Sequence, residues 1–357
     1  MRYRATVGNP PYNVNNSEIS TSATVIYPHF FLALNSISEY SSLITPAWWF
    51  NSPKPEVRTA RAAMMEQGID FVLLEYNTEQ VFVDAEIKGG LSWYLHKYGN
   101  QDETSFQTNG KPSRIGKMFD PSGMISVNEI GEIREVLRSG PTEHRPYPTL
   151  SWIFPALRDT KLVGNEVYRE RSHPTRQNPD DVRMRITTDE WRYFPKEILD
   201  PGYYIPDGGF GLCLSTCSSN HATSLNDRTL ILHGLESAKR SVVLPCADLA
   251  ECVNLYKYLR TKFAMTLISG RMGSFDSMSH VYKDLPQLPL DDSGPIDWSK
   301  TIPEIDERLI AQFGLEDYRE FIMSQYKPFA RAFGLEQLQE LAASGIDVRN
   351  LNGWYDS

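Results

Sequence analysis

The sequence contains no long hydrophobic run. Its apolar stretches fall well short of the roughly 20 residues that a membrane-spanning helix requires. The first residues, Met1-Arg2-Tyr3-Arg4, lack the apolar core of a signal peptide. These absences predict a cytoplasmic protein that does not enter a membrane. The 357 residues, of which 41% are hydrophobic, suffice for about two domains with cores of their own.

Cysteine is scarce. The four residues are Cys213, Cys217, Cys246 and Cys252. The first two lie near His221 and raise the question of a metal site, but the other two match no zinc-ligand spacing. We therefore expect buried free thiols and no metal site, because a free thiol packs as a small apolar group.

The chain also lacks an excess of positive charge. Its formal net charge is -9, which argues against a protein coated in basic surface. An enzyme that acts on DNA needs only one basic face, however. The positions of the arginines and lysines therefore matter more than their sum.

The residues best suited to chemistry lie in Val7-Gly8-Asn9-Pro10-Pro11-Tyr12. A short strand is predicted just before them, and the two prolines forbid both a helix and a continued ladder, so the chain must turn. The residue before each proline is held extended, and the carbonyls of Asn9 and Pro10 therefore project stiffly. The Asn9 side-chain oxygen and the Pro10 backbone oxygen can together accept both hydrogens of a planar amino group, while Tyr12 lies against a flat ring.

This turn predicts a site for an exocyclic amine. Such an amine is a poor nucleophile because its lone pair is delocalised into the ring. Two acceptors favour a pyramidal nitrogen, whose lone pair can attack an electrophilic methyl group in line. From the tetrapeptide alone, a strand followed by a Pro-Pro turn without chemistry is an equally open interpretation.

Hydrophobic spacing around this turn predicts an alternation of strands and helices. The predicted elements are a helix over 25–37 with Pro28 in its first turn, a strand over 41–46, a helix over 55–68, a strand over 69–76, and two strand pieces within 81–98. This order implies an α/β sheet whose reactive loops follow the carboxyl ends of the strands.

Several ordered motifs together resemble one enzyme family. They are Val-Gly-Asn-Pro-Pro-Tyr at 7–12, Leu-Ile-Thr-Pro-Ala-Trp-Trp-Phe at 43–50, Val-Phe at 81–82 and Ile-Lys-Gly-Gly-Leu-Ser-Trp-Tyr-Leu at 87–95. This succession resembles the gamma class of adenine-specific DNA methyltransferases, and more narrowly the methylases of fused type IIG restriction-modification enzymes. The resemblance covers residues 1–98 and, less closely, 255–330.

The resemblance implies a fold, a reaction and the residues that perform it. Asn9, Pro10, Pro11 and Tyr12 would form the catalytic motif, and Asn9 and Pro10 would bind the amino group of an adenine flipped out of double-stranded DNA. Tyr12 and Phe82 would stack on the two faces of that base and offset the cost of flipping. S-adenosylmethionine would donate the methyl group. For Phe82, a core phenylalanine beside a strand is the alternative.

One part of the family pattern is missing. In the family, a cofactor-binding half with a Gly-rich loop precedes the Asn-Pro-Pro-Tyr motif, whereas this sequence begins almost at the motif. The one downstream substitute, Asp207-Gly208-Gly209-Phe210-Gly211, lacks a strand before it and a helix after it, which favours a turn. We therefore expect an incomplete cofactor site, no identifiable cofactor-binding residue, and either an upstream methyltransferase subunit as partner or a decayed remnant of a longer enzyme.

A nuclease motif is a rival interpretation of the same region. Asp84, Glu86 and Lys88 alternate, so on a strand they would share one face, as in the D-x-E-x-K arrangement of metal-dependent nucleases. No Pro-Asp partner lies upstream, and the family places its base-pocket strand here. The methyltransferase interpretation is therefore preferred.

Farther along, the sequence predicts a DNA-binding region. Residues 99–126 are polar and rich in turns, a helix is predicted over 127–138, and a second helix begins with Asp248 as N-cap and ends near Gly270. The run around Arg260 and Lys262 resembles the end of the family's target-recognition domain. Arginine forks suit phosphates and guanine edges, so the predicted DNA contacts are Arg169, Arg171, Arg176, Arg183, Arg185, Arg260 and Lys262. Because nearby acidic residues nearly balance this charge, a solvated surface with internal ion pairs is the alternative.

The predicted fold class is α/β: the C-terminal half of a Rossmann-like methyltransferase sheet, then a mixed α+β target-recognition domain and a helical tail. The predicted domains are a partial catalytic domain at 1–115, a linker region at 116–148, the target-recognition domain at 149–290 and an acidic helical tail at 291–357. The predicted function is adenine-N6 methylation of DNA by one part of a split or truncated restriction-modification enzyme. The alternatives are a non-catalytic DNA-specificity subunit or decayed methylase, and an amino-group methyltransferase that acts on RNA or on protein glutamine.

Overall fold

The computed structural model describes residues 2–14, 24–50, 52, 54–75, 81–82, 90–99, 103–108, 113–119, 125–139, 170–186, 190–199, 204–215, 229–238, 241–270, 281–286, 288–324, 333–349 and 351. These residues divide into two compact units. The first contains Met1–Glu135 with Gly270–Ser274, and the second contains Val136–Ser269 with Phe275–Ser357. None of the described helices has the length and apolar character needed to cross a membrane.

The first unit is built on a six-stranded mixed sheet. Its strands are β1 (Tyr3–Gly8), β4 (Ser38–Pro46), β5 (Phe71–Glu75), β6 (Leu91–Lys97), β7 (Thr104–Thr108) and β8 (Arg114–Gly116). A separate short pair consists of β2 (Asn13–Val14) and β3 (Thr24–Val25). The order in the large sheet is β1-β4-β6-β5-β7-β8. β1 is parallel to β4, and β5 is parallel to β7, whereas β6 runs antiparallel to both of its neighbours.

Three helices are described in this part of the chain: α1 (Tyr27–Ile37), α2 (Pro55–Gln67) and α3 (Glu129–Ser139), whose last residues are assigned to the second unit. Each was predicted, and the local chemistry explains why. α1 and α2 both have proline in the first turn, where a missing N–H costs nothing. α2 ends at Gly68, whose φ of 76° suits glycine. The predicted mixed α/β class of this unit is confirmed.

The polar composition of residues 99–126 predicts only turns, but the structure has the strands β7 and β8 in this range. The composition of β7 is polar, with Phe106 as its single large apolar residue. Thr104 and Phe106 nevertheless point into the interior, and the Thr104 hydroxyl donates to the Ile69 carbonyl at 2.7 Å. A buried hydroxyl satisfied by a backbone carbonyl just before β5 therefore replaces the apolar alternation that sequence patterns detect.

In its described residues, the second unit contains two three-stranded sheets and five α-helices. The strands are β9 (Val182–Arg185), β10 (Trp191–Phe194), β11 (Phe210–Ser215), β12 (Leu230–His233), β13 (Glu236–Ala238) and β14 (Ser241–Cys246). They are ordered β10-β9-β13 and β12-β11-β14. The helices are α4 (Leu249–Leu259), α5 (Lys262–Ser269), α6 (Ile302–Gln312), α7 (Arg319–Met323) and α8 (Leu335–Ala343).

The predicted single helix from Asp248 to Gly270 is two helices. Asp248 does cap the start, since its carboxylate accepts from the Glu251 N–H at 2.8 Å. The helix then breaks after Leu259, because the buried carboxylate of Asp306 accepts from the backbone N–H groups of both Lys262 and Phe263 at 2.8 Å. This carboxylate caps a new helix start, and it comes from a residue more than 40 positions away in the chain.

Two further expectations are met in the second unit. Asp207 and Gly208 form a turn, with Gly208 at a φ of 74°, and the chain enters β11 at Phe210. Cys213, Cys246 and Cys252 are buried thiols. Cys217 and His221 lie outside the described residues.

Candidate active site

Segments that carry the predicted motif lie together at one edge of the first sheet, where β1, β4 and β5 end. β1 ends at Gly8 beside the parallel strand β4, which ends at Pro46. Pro46 pairs with Leu91 at the start of β6, and Glu75 at the end of β5 pairs with the same residue. The carboxyl ends of β1, β4 and β5 and the amino end of β6 therefore meet at one edge.

The turn Asn9–Tyr12 leaves β1 at this edge. Asn9 and Pro11 are exposed, Pro10 is buried and Tyr12 is half-buried. The Tyr12 carbonyl accepts a hydrogen bond from the Ile26 N–H at 3.1 Å, and β2 then pairs with β3. These backbone hydrogen bonds hold the turn in place. The Asn9 amide makes no hydrogen bond to any other described residue and stays available to a ligand.

The Tyr12 ring is supported by a series of aromatic contacts, which we call the ring chain: Tyr12, Tyr27, Phe31 and Trp49. Tyr12 meets Tyr27 edge-on with centroids 6.4 Å apart. Tyr27 contacts Phe31 at 5.8 Å, and Phe31 contacts Trp49 at 5.6 Å. Edge-on packing of this kind fixes ring orientation as well as burying area. One end of the chain lies in the core and the other at the predicted amine site.

The tyrosine hydroxyls in this chain are buried without partners among the described residues, both in Tyr12 and in Tyr27. Loss of solvation raises the pKa of Tyr12 to about 12 and moves that of Tyr27 in the same direction, with Arg61 opposing the shift for Tyr27. Both phenols are therefore neutral at physiological pH. The site offers Tyr12 as a neutral flat ring whose hydroxyl is buried.

A tightly held loop follows β4 at the same edge. It begins with the 3-10 helix Ala47–Phe50, in which Trp49 and Phe50 are buried. The Trp49 indole donates to the Ser92 hydroxyl at 2.8 Å, and the Ala47 N–H donates to the Gly90 carbonyl at 2.9 Å. The loop is therefore joined to the start of β6.

Sequence reasoning missed Arg61 of α2. One nitrogen of its guanidinium, Nη1, donates to the carbonyls of Trp49, Phe50 and Ser52 at 3.1, 3.0 and 3.3 Å. The available signal was its position: α2 buries Val57, Ala60 and Met64, and Arg61 lies on that same helical stripe. A cation on an apolar stripe needs internal acceptors, and here it finds three.

Phe82 is half-buried and belongs to the segment that joins the end of β5 to the start of β6. No ring contact joins it to Tyr12 among the described residues, and its stacking role stays a prediction. The rival nuclease residues Asp84, Glu86 and Lys88 lie outside the described part of the chain. Within the ranges given above, no cluster of histidine, cysteine or acidic residues could hold a metal ion.

The predicted DNA-contacting arginines lie mainly in and around one sheet of the second unit. Arg183 and Arg185 on β9 pair with Tyr193 and Trp191 on β10, so all four side chains share one face of the sheet. The Arg183 guanidinium lies 4.1 Å above the Trp191 ring and pairs with Glu236 at 3.1 Å. This face alternates cations with aromatic rings.

The other predicted DNA contacts divide into two groups. Arg171 and Arg176 are exposed, and Arg176 lies 5.5 Å above the Tyr193 ring. Arg169 lies outside the described residues. Arg260 is only 3% exposed, where burial lowers its pKa, and it lies over the Tyr256 ring at 5.4 Å. The Lys262 ammonium donates to the Met323 carbonyl at 2.6 Å. Arg260 and Lys262 therefore both interact with groups of the second unit, and their assignment as DNA contacts stays a prediction.

Comparison with known proteins gives a partial match. No family model matches the sequence. An uncharacterized adenine-specific methylase of Mycoplasma pneumoniae is 28% identical over 121 residues, which make up 33% of this chain and 28% of that protein. The chain thus spans less than a third of this relative's length.

Among solved structures, the chain is similar to restriction-modification enzymes. A type IIL enzyme, MmeI, in complex with DNA shows 12% identity and a TM-score of 0.38 over 95% of this chain and 57% of that one. A nuclease-deletion mutant of the type ISP enzyme LlaGI with a DNA substrate mimic shows 11% identity and a TM-score of 0.39, over 89% and 35%. The type IIG endonuclease BpuSI shows 11% identity and a TM-score of 0.32, over 94% and 48%.

Proposed function

We propose that this chain forms the amine-binding part of an S-adenosylmethionine-dependent methyltransferase that modifies the adenine amino group in DNA. The observation that carries the proposal is the Asn9–Tyr12 turn at the carboxyl end of β1, where an unbonded Asn9 amide stands beside a braced Tyr12 ring. The resemblance of residues 7–12 to the family motif and the named methylase relative support it.

In this proposal the protein acts by holding the acceptor amine. The Asn9 side-chain oxygen and the Pro10 carbonyl accept the two amine hydrogens and favour the pyramidal nitrogen that attacks a methyl group. Tyr12 and Phe82 stack on the faces of the flipped base, and neutral Tyr12 does so without introducing charge. No general base is required for the attack, because the geometry supplies the activation.

The sequence predicts an incomplete cofactor site in this chain, and that expectation stays a prediction. The Gly-rich segment that the sequence offers, Asp207–Gly211, is a turn that leads into β11. We propose that the cofactor binds to strands that continue the sheet beyond β1.

The open edge of β1 supports that placement. Among the described strands, β1 pairs only with β4, and Tyr3 and Val7 are 67% and 78% exposed. Parallel strands are normally covered on both faces, and an exposed apolar edge is a template for another strand. An upstream methyltransferase subunit that supplies a strand here is the proposed partner.

The proposed DNA face consists of Arg171, Arg176, Arg183 and Arg185 in the second unit. Arg169 lies outside the described residues and stays a predicted DNA contact. Arginine beside aromatic rings suits phosphates and unstacked bases. This face also supports a second candidate function, a DNA-specificity subunit or decayed methylase without activity. If no partner supplies a strand beside β1, the sheet stays incomplete. The DNA-specificity subunit or decayed methylase is then the favoured function.

Two measurements test the proposed function. The first is calorimetric titration of the full chain with S-adenosylmethionine, alone and after addition of the product of the adjacent upstream gene. The second is transfer of tritiated methyl groups to unmethylated DNA of mixed sequence, followed by sequencing that detects N6-methyladenine. Binding and adenine methylation with the partner would support the enzyme. DNA binding without methylation under either condition would favour the specificity subunit.

A further inference from the structure

The loop after β4 is held by a side chain of α2 in addition to its hydrogen bonds with Ser92 and Gly90. Arg61 of α2 brings together three carbonyls, those of Trp49, Phe50 and Ser52, at one nitrogen. These carbonyls follow the end of β4 and have no strand partner. A backbone acceptor without a partner is costly in a partly buried place, so the guanidinium decides the shape of the loop.

The loop in turn supports Tyr12. Trp49 belongs to the Arg61-bound loop and to the ring chain, which runs through Phe31 and Tyr27 to Tyr12. A second link runs from the Trp49 indole to Ser92 on β6. Close-packed aromatic contacts transmit small displacements because they have few alternative arrangements. A shift of the loop therefore moves the support beneath the Tyr12 ring.

We propose that Arg61 is a positioning residue for the adenine site: it holds the loop after β4 in the shape that orients Tyr12 through the ring chain. This inference rests on the proposed function, since it adds a residue to the same site. It also makes a structural claim that holds whether or not the site binds adenine, namely that the order of the loop depends on Arg61.

Three variants separate this role from simple loss of charge. Arg61→Met keeps a long flexible side chain but removes the donors. Arg61→Lys restores donors, because an ammonium has three N–H groups and all three carbonyls share one nitrogen in the wild type. Arg58→Met is the matched control: it removes the same charge from the same helix, at an exposed position.

The first readout is amide hydrogen exchange in peptides that span residues 44–54 and 9–14. We expect Arg61→Met to speed exchange in both regions by about tenfold, with β5 and β7 unchanged, because the loop loses bonds from a charged donor. Arg61→Lys restores slow exchange to within about threefold, and Arg58→Met leaves it unchanged. A general loss of stability would instead speed exchange across the whole sheet.

The second readout is the affinity for 9-methyladenine, measured by the quenching of tryptophan fluorescence. We expect Arg61→Met to weaken binding about tenfold and Arg61→Lys by no more than about threefold, since Tyr12 loses its support only in the first. If Arg61→Met exchanges and binds like the wild type, the positioning role is refuted. If the wild type binds no 9-methyladenine while Arg61→Met still loosens residues 9–14, the proposed function fails and the positioning role stands.

Discussion

Asn9 has no evident role in stabilising the described structure. It is exposed, it follows the last residue of β1, and the amide makes no bond within the described part of the chain. Its neighbours are held, Pro10 by burial and Tyr12 by the Ile26 N–H and the ring chain. An amide with free acceptor capacity on a rigid support is suited to bind a ligand rather than to stabilise the fold.

Replacing Asn9 tests the amine-binding role. We expect Asn9→Ala to lower the rate of methyl transfer by about 10²–10³, the usual effect of removing one positioned hydrogen-bond partner. DNA affinity and the unfolding midpoint should stay at wild-type values, because the side chain is exposed. The rate is measured by tritium incorporation with the partner present, and the affinity by fluorescence anisotropy. An unchanged rate would remove Asn9 from the site.

Tyr27 offers a test of the buried, unpartnered hydroxyls. At neutral pH we expect Tyr27→Phe to be neutral or to stabilise by up to about 1 kcal/mol, because the hydroxyl gives up hydration and gains no bond. Burial raises the pKa of Tyr27 above the ordinary value of 10, so the folded protein keeps this phenol neutral after the unfolded chain ionises. The protonation of this group therefore leaves stability unchanged below about pH 10, and stability falls as the pH rises further because ionisation favours the unfolded chain.

The measurement is urea denaturation from pH 8 to pH 11. The wild type should lose stability above pH 10 more steeply than Tyr27→Phe. Tyr3→Phe, which changes an exposed tyrosine, is the control and should follow the wild type. Parallel curves for Tyr27→Phe and the wild type would contradict the assigned burial effect.

At the level of elements, a side chain from α6 decides where α5 begins. Asp306 is fully buried and accepts from the N–H groups of Lys262 and Phe263. A carboxylate at a helix N-terminus satisfies donors that have no partner within the helix, and it opposes the positive end of the helix dipole. This cap joins the acidic C-terminal region to the rest of the second unit.

We expect Asp306→Ala to lower the free energy of unfolding of the second unit by about 2–4 kcal/mol, because two buried donors lose their acceptor. Asp306→Asn should cost about half as much, since its amide keeps one acceptor oxygen. Glu307→Gln breaks the exposed pair with Arg319 and should cost less than about 1 kcal/mol. Urea denaturation provides the comparison. Equal losses for Asp306→Ala and Glu307→Gln would refute the cap.

At the scale of the whole molecule, the two outermost strands of the large sheet have different proposed roles. β1 forms one end and β8 the other, and each carries an exposed apolar residue: Val7 is 78% exposed and Ile115 is 71% exposed. The proposal assigns a partner strand to β1 alone. A charge placed on a pairing edge opposes the addition of a strand.

Val7→Lys should therefore weaken assembly with the upstream subunit by at least about tenfold, because the apolar contact is lost and a charge is buried. Ile115→Lys, the matched change at the opposite end, should leave assembly unchanged. Both variants should fold, since both side chains are exposed. Calorimetric titration with the subunit measures the affinities. Assembly that tolerates Val7→Lys would move the partner away from β1.

The sequence by itself determined the features that local chemistry controls. The prolines at 10 and 11 force the turn after β1, prolines at the starts of α1 and α2 and Gly68 mark helix ends, and Asp248 caps α4. Each follows from the dihedral freedom or hydrogen-bonding capacity of a residue and its immediate neighbours, which the sequence states directly.

Only the tertiary structure decided the features that depend on distant partners. It placed the ends of β1, β4 and β5 at one edge, made strands of the polar segments 104–108 and 114–116, and broke the helix at Thr261 through Asp306. It also buried Arg260 over Tyr256 and directed Arg61 to the loop after β4. A cation, a hydroxyl or a carboxylate has a different role once it is buried, because its partners then come from remote parts of the chain and local patterns cannot identify them.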